Sequence, residues 1–328
     1  MIGITLKTLS WSLSEPFKIS RGEITHVEAA YLELRGPGGV IAHGEACGIN
    51  YEGETPDSII TAVSAIQDDI QKGLTRQDLL DLLPVGGARN LVDAALWDYE
   101  AKTSGQPAWK LAGLSSFETV VCAQTIGIRD VKGYADRARS LRDFPLLKIK
   151  VGGDGDDMAI LEAVHNAAPN SKLIVDPNQS WTMDHLTDYA ARLHGLGVVL
   201  LEQPLPVDGD AELEGLRYSI PICADESIHD RSELMALRGK YDAINIKLDK
   251  TGGLTEALAL ARDAQQAGFQ LMVGCMAGSS LAMAPGAIIA QLCGFVDLDG
   301  PLLQSTDWEH AIDYDSGYMM PVPRVLWG

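Results

Sequence analysis

Cysteine is scarce and shows no pairing pattern. Five residues, Cys47, Cys122, Cys223, Cys275 and Cys293, are scattered along 328 positions without a C-x-x-C motif. An odd number with no framework excludes a disulfide-stapled scaffold and points to a reducing, cytoplasmic compartment. Positive charge is also short: 26 Lys and Arg face 45 Asp and Glu, a net charge of −19. That excludes nucleic acid or an anionic membrane as the main partner, because both require a basic surface. An anionic small substrate would need local cations to hold it. No G-x-G-x-x-G follows an early strand, so no dinucleotide site is expected. The opening "MIGITLKTLSWSLSEPF" lacks a basic n-region followed by an apolar core, and no signal peptide is read from it. The one long uncharged run, 271–296, is broken by Gly274, Gly278, Ser279, Ser280, Pro285, Gly286 and Gly294. A strand, a loop, a helix and a second strand account for it better than a membrane span.

What is present is an ordinary globular composition, 46% hydrophobic and 22% charged, in a chain long enough for one large barrel or two domains. Residues 26–44 alternate around a Gly-Pro-Gly-Gly turn and predict a hairpin. "TPDSIITAVSAIQDDIQKG" predicts a helix with Thr55 as N-cap and Pro56 in first position, and with Ile59, Ile60, Val63, Ile66 and Ile70 on one face. A second helix is predicted in "NLVDAALWDYEAKTSG". The pattern then changes to short apolar strands alternating with helices. The predicted strands are 120–125, 146–151, 172–178, 198–204, 220–226, 241–248, 269–275 and 293–299. Eight strands separated by helices predict a closed parallel α/β barrel, with a doubly wound open sheet as the competitor.

In such barrels chemistry sits at the C-terminal strand ends. Read in order, those ends carry Lys148/Lys150, Asp176, Glu202, Asp225, Lys247, Cys275 and Asp297/Asp299, at steps of 22 to 28 residues from Lys150. A lone acid after a strand is usually a helix cap or a solvated loop residue. Three on successive strands, in "VDPN", "LEQP" and "ADES", repel one another unless a cation offsets them. Oxygen donors without His or Cys suit Mg²⁺, or Mn²⁺, rather than zinc. Lys148 and Lys150 share one strand face, which is costly for two like charges. Lys247 shares its parity with Asn245, while Lys250, just past the strand, reads as a snorkelling surface lysine.

Together these residues resemble the enolase superfamily, in its muconate-lactonizing-enzyme subgroup and nearest to the dipeptide epimerases. The resemblance rests on Lys-x-Lys, on Asp176, Glu202 and Asp225, on Lys247, and on the stretches "NIKLDKTGGLTEALALA" and "IPICADES". It implies an α+β capping domain (1–118), a (β/α)7β barrel (119–308) and a C-terminal tail (309–328) packing back toward the cap. It also implies Asp176, Glu202 and Asp225 as Mg²⁺ ligands and Lys150 and Lys247 as acid/base residues on opposite faces of the substrate. Lys148 would lower the proton affinity of Lys150 and face the substrate carboxylate. The Asp297-x-Asp299 pair would bind the α-ammonium of a dipeptide, and Thr125 and Cys275, with Met276, would line the pocket. Lys18 and Arg21 lie in the cap loop; Arg21, with its planar fork, would pair with a glutamate side chain. No His–Cys arrangement supports Cys275 as a nucleophile. Gln179 departs from the acid that relatives often carry there, a change beside the ligands rather than among them. The implied activity is epimerisation of L-Ala-D/L-Glu in murein peptide turnover, by 1,1-proton transfer through an enediolate. Succinylbenzoate synthesis, racemisation of N-acylamino acids, and a non-catalytic ligand-binding barrel remain the alternatives, and homo-oligomerisation is left open.

Overall fold

The computed structural model describes residues 1–19 and 22–328. Apolar and polar residues alternate along "ITLKTLSWSLS", and residues Gly3–Ile19 form a long strand, β1. It pairs antiparallel with β2 (Gly22–Arg35), and the register shifts between Ser12 and Phe17, where Pro16 offers no N–H to the ladder. β3 (Ile41–Ala46) pairs with β2 on its other side. The predicted hairpin is therefore present, as two strands of a three-stranded sheet whose first strand the sequence reading missed.

The helix expected over 55–73 is divided. Thr55 Oγ1 accepts the Ser58 N–H and starts Pro56–Ala65, and a second segment, Gln67–Lys72, follows after a break at Ile66. Ile59, Val63, Ile66 and Ile70 are buried against the sheet, with Ile60 at its edge. The helix Gly87–Ser104 lies across β3 so closely that a methyl group on Gly44 would stand 2.3 Å from the Leu91 carbonyl oxygen.

The remaining chain begins with β4 (Val120–Val121). The barrel strands are β5 (Gln124–Ile126), β6 (Leu146–Lys150), β7 (Lys172–Asp176), β8 (Val198–Glu202), β9 (Ile222–Ala224), β10 (Ala243–Lys247), β11 (Gln270–Gly274) and β12 (Phe295–Val296). They form one parallel sheet in sequential order. The Ala123 N–H donates to the Val296 carbonyl at 2.8 Å and brings the first strand to the last. Ala123, Leu146, Ile174, Leu200, Cys223, Ala243 and Met272 point inward and make an apolar floor, one residue from each of seven successive strand positions. The opposite parity, including Leu147, Ile149, Val175, Leu201, Ile244 and Ile246, packs against the helices.

Three expectations need correction. The span 120–125 is two strands rather than one: β4 leaves the barrel to pair with the hairpin of β13 (Tyr314–Asp315) and β14 (Tyr318–Met319). The connections after β8 and β9 hold only the 3-10 segments Val207–Leu213 and Leu234–Leu237. The helix inside 271–296 is split by Pro285 into Ser280–Met283 and Gly286–Ala290. Among the described residues no helix is long and apolar enough to cross a membrane.

Hydrogen bonds to buried carboxylates join the two parts. Glu45 at the end of β3 accepts from the Ser279 hydroxyl (2.6 Å) and from the indole N–H groups of Trp11 and Trp308 (3.0 Å each). Asp249, just beyond β10, accepts from the Gly48 N–H (2.9 Å) and the Asn90 amide (3.2 Å). The C-terminus returns to the cap helix, where the Gly328 N–H meets Asp98 at 2.7 Å. These contacts seat the cap over the C-terminal ends of the barrel strands.

Because the clash at Gly44 is with backbone, Gly44→Ala is expected to destabilise the protein by about 1–3 kcal/mol, read from the urea midpoint at constant m-value. An unchanged midpoint would mean that the helix shifts without cost.

Candidate active site

The sheet order fixes where each strand end lies. β6 and β10 are four strands apart in a ring of eight, so Lys150 and Lys247 stand on opposite sides of the barrel. Between them on one arc come Asp176 (end of β7), Glu202 (end of β8) and Asp225 (just past β9). The other arc holds Cys275 after β11, Asp297 and Asp299 after β12, and Thr125 on β5. Lys148, Lys150, Lys247, Thr125, Cys275, Met276, Asp297 and Asp299 all border one cavity of about 570 Å³, bordered on the cap side by Phe17, Ile19 and Ile24.

Lys148 is the hub. Its ammonium meets Glu202 at 2.7 Å, Asp297 at 2.7 Å and Asp176 at 3.1 Å, and its side chain is 2% exposed. Asp297 accepts a hydrogen bond from it, while Glu202 and Asp176 are held as close ion-pair contacts. Burial disfavours its charge, but Asp297, Glu202 and Asp176 together outweigh that and hold its pKa well above the usual lysine range. Lys148 also borders the cavity, with its ammonium engaged by these protein acids.

The other lysines are paired as well. Lys150 donates to Asp176 at 2.6 Å, and Lys247 to Asp225 at 2.7 Å. Lys250 is not a surface residue: the short helix Leu248–Thr251 turns it inward, and its fully buried ammonium contacts the Asp225 carboxylate at 2.7 Å and the Asn245 carbonyl at 3.2 Å. Neighbouring amides orient the acids. Asn245 donates to Glu202 at 2.8 Å, and Gln203 accepts the Asp225 N–H at 2.9 Å. Asn178, Gln179, Gln203 and Ala277 all adopt positive φ at this end of the barrel, the kind of backbone strain that gathers at functional sites.

Among the described residues, five buried acids (Asp176, Glu202, Asp225, Asp297, Asp299) face four lysines (148, 150, 247, 250). The surplus negative charge has a location. Burial and the neighbouring Asp176 push Glu202 up to about 8, while burial and Asp297 push Asp299 up to about 7. Asp176 is pulled below the usual carboxylate range because Lys150 and Lys148 outweigh its burial, and Asp225 likewise because of Lys247 and Lys250. Lys247 is held above the usual lysine range because Asp225 and Glu202 outweigh its burial. Asp299 accepts the Thr125 N–H at 2.6 Å and the Gln124 amide at 3.1 Å. The Cys275 thiol, pushed up to about 12 chiefly by burial, is no thiolate nucleophile.

The donor set fits a hard dication. Asp176, Glu202 and Asp225 supply buried carboxylate oxygens on adjacent strands, and the charge surplus beside them calls for a cation. No three acid, His or Cys side chains among the described residues are grouped to hold an ion as they stand, since each acid is turned toward an ammonium. An ion would compete with the lysines for these oxygens.

Other expectations fare differently. Arg21 lies outside the described residues. Lys18 is exposed and does not border the cavity; its carbonyl oxygen accepts the Ile128 N–H. Gln179 accepts the Val207 N–H at 3.2 Å. Tyr51, Asn50, Asn178 and Leu303 border the cavity and were not foreseen. Their only signal was proximity to motif residues or to a cap turn.

Residues 1–113 match the family model for the mandelate racemase / muconate lactonizing enzyme N-terminal domain, and residues 130–319 match the enolase C-terminal domain-like model. The chain belongs to this branch of the enolase superfamily. It is 42% identical over 313 residues to the L-Ala-D/L-Glu epimerase of Escherichia coli (strain K12), covering 94% of this chain and 96% of the relative. It is 45% identical over 251 residues to an N-acetyl-D-glutamate racemase from Pseudoalteromonas sp, covering 76% of this chain and 79% of the relative. An Agrobacterium tumefaciens enolase family member with homology to dipeptide epimerases, crystallised with sodium and L-Ala-L-Glu, superposes with TM-score 0.97 at 40% identity and full coverage of both chains. A dipeptide epimerase from Methylococcus capsulatus, complexed with Mg and L-Arg-D-Lys, gives TM-score 0.87 at 28% identity over 97% of this chain and 96% of the other.

A dication bound at Glu202 must displace the proton that the raised pKa keeps there. Titrating Mg²⁺ into the protein at pH 7 is therefore expected to release about one proton per ion, measured calorimetrically in buffers of different ionisation enthalpy. Glu202→Gln should remove that release; binding without proton release in the parent protein would contradict the charge assignment.

Proposed function

We propose that the protein is a Mg²⁺-dependent epimerase that inverts the α-carbon of the C-terminal residue of a dipeptide, with L-Ala-D/L-Glu as the substrate. The observation that carries this reading is the diametric pair Lys150 and Lys247 on one cavity whose wall also bears Asp297 and Asp299. A proton next to a carboxylate is weakly acidic, and its removal needs a base on one face and charge opposite the enediolate. Asp176, Glu202 and Asp225 would hold Mg²⁺, which supplies that charge when bound. One lysine takes the α-proton from one face and the other returns a proton to the opposite face, so the centre inverts. Both lysines pair with acids of the proposed metal set, at 2.6 and 2.7 Å. Whatever engages those oxygens weakens the hold on the ammonium protons and favours a neutral lysine.

Asp297 and Asp299 bind the substrate's ammonium. Asp299, whose pKa is raised by burial and by Asp297, is driven to the charged form when a cation settles beside it. Thr125 and Cys275 line the pocket, and Arg21 pairs with the glutamate side chain. Five free cysteines and the acidic composition support a cytoplasmic setting, with murein peptides as the source of the dipeptide.

A second reading, racemisation of an N-acylglutamate, has support from the Pseudoalteromonas relative. An acyl nitrogen carries no charge, and two acids facing it would be unfavourable. Proton NMR in D₂O with Mg²⁺ separates the two. L-Ala-L-Glu is expected to lose its glutamyl α-proton signal as L-Ala-D-Glu appears, faster than N-acetyl-L-glutamate exchanges. The reverse order would move the assignment to the acylated substrate. Asp299→Asn, which keeps the shape but lowers the charge, should reduce kcat/KM for the dipeptide about 10- to 100-fold more than for N-acetylglutamate. Equal losses would overturn the ammonium-anchor role.

A further inference from the structure

The cap contributes to the cavity through a second segment besides its hairpin. Asn50 and Tyr51 border the cavity from the 3-10 turn Asn50–Glu52. Tyr51 stands near enough to Asp225 and Lys247 for both charges to act on its phenol. The root of this segment is fixed: the Gly48 N–H donates to Asp249 at 2.9 Å, and the Ile49 N–H donates to Glu54 at 2.8 Å. Glu52 at its tip reaches across to the barrel. Glu52 Oε1 lies 2.6 Å from Nε2 of His229, in the loop that follows Asp225. The other ring nitrogen of His229 faces Glu233 at 3.2 Å, and Glu233 also accepts the His229 N–H at 2.6 Å. With a carboxylate on each ring nitrogen, both contacts are hydrogen bonds only when the ring carries both protons.

We infer that His229 and Glu52 are positioning residues for the epimerase site: their ion pair clasps the Asn50–Glu52 turn to the barrel and sets the cavity wall beside Lys247. Glu233 orients the imidazole toward the cap and holds it within reach of Glu52. Neither residue borders the cavity, and their hydrogen bonds are to each other and to Glu233, so the effect falls on binding rather than on proton transfer. Glu52 is about half exposed and His229 one-fifth, so the contribution is that of a screened pair.

The kinetic arm of the test rests on the proposed activity. In full-length protein with Mg²⁺ and L-Ala-L-Glu, His229→Gln and Glu52→Gln should each raise KM about two- to fivefold with kcat nearly unchanged. The double variant should match either single one, and His229→Lys, which keeps a cation, should restore KM toward the parent value. Additive effects, unchanged KM in both variants, or a fall in kcat at constant KM would each overturn the clasp. Amide hydrogen exchange read by mass spectrometry gives a substrate-independent arm. Residues 47–54 should exchange faster in both single variants while the strands of the barrel do not. If the parent protein turns over no alanyl-glutamate, the epimerase reading fails and the exchange decides the clasp alone; unchanged exchange over 47–54 overturns it.

Discussion

The ammonium of Lys148 is the contact on which the active site depends. It sits at the centre of the barrel end and meets acids from three different strands, so it sets how closely those strands' carboxyl groups can approach. Isolated burial of any of these acids would be prohibitive, and so would burial of the lysine. Held together they are stable, but not neutral. Four lysines against five acids leave a surplus that is met by raising the pKa of Glu202 and Asp299. Two like-charged residues on one strand face therefore have a physical account: Lys148 is a buried counter-ion to the acids, and Lys150 beside it is paired with Asp176 and is the proposed proton carrier.

The same arithmetic shapes what the cavity accepts. Glu202, on the arc between the two lysines, is the acid best relieved by a dication. Asp299, on the other arc, is best relieved by an ammonium. Under the proposed function, a ligand with a carboxylate at one end and an ammonium at the other would complement both, with the carbon between them set between Lys150 and Lys247. Charge distribution and barrel geometry thus favour the same molecule for independent reasons. On the cap side the cavity is bordered by Phe17, Ile19 and Ile24, apolar side chains that lower the polarity of its rim.

Much of this was legible from residue order. Parallel strands recur at nearly constant intervals, and strand parity decides which side chains point inward, so the Lys, Asp, Glu, Asp, Lys series could be placed before any coordinates existed. What escaped depended on contacts between distant segments or on short irregular turns. β1 was missed because its alternation slips at Lys7–Thr8 and is interrupted again at Pro16. Lys250 was misread because a four-residue helix, invisible to periodicity, rotates it from the surface into Asp225. Val120–Val121 was joined to the following strand because nothing local shows that its partner lies nearly two hundred residues away. No local signal marks Glu45, Asp249 or His229, whose partners lie in distant segments of the chain.

The central claim is that two lysines on opposite faces share one α-proton. The most direct measurement follows deuterium incorporation from D₂O by Lys150→Ala and Lys247→Ala, each with Mg²⁺ and each given L-Ala-L-Glu and L-Ala-D-Glu separately. The account predicts that neither variant epimerises, and that each exchanges the α-proton of one diastereomer only, the two variants with opposite preference. A variant that exchanges both diastereomers, or that still interconverts them, would contradict the two-base arrangement.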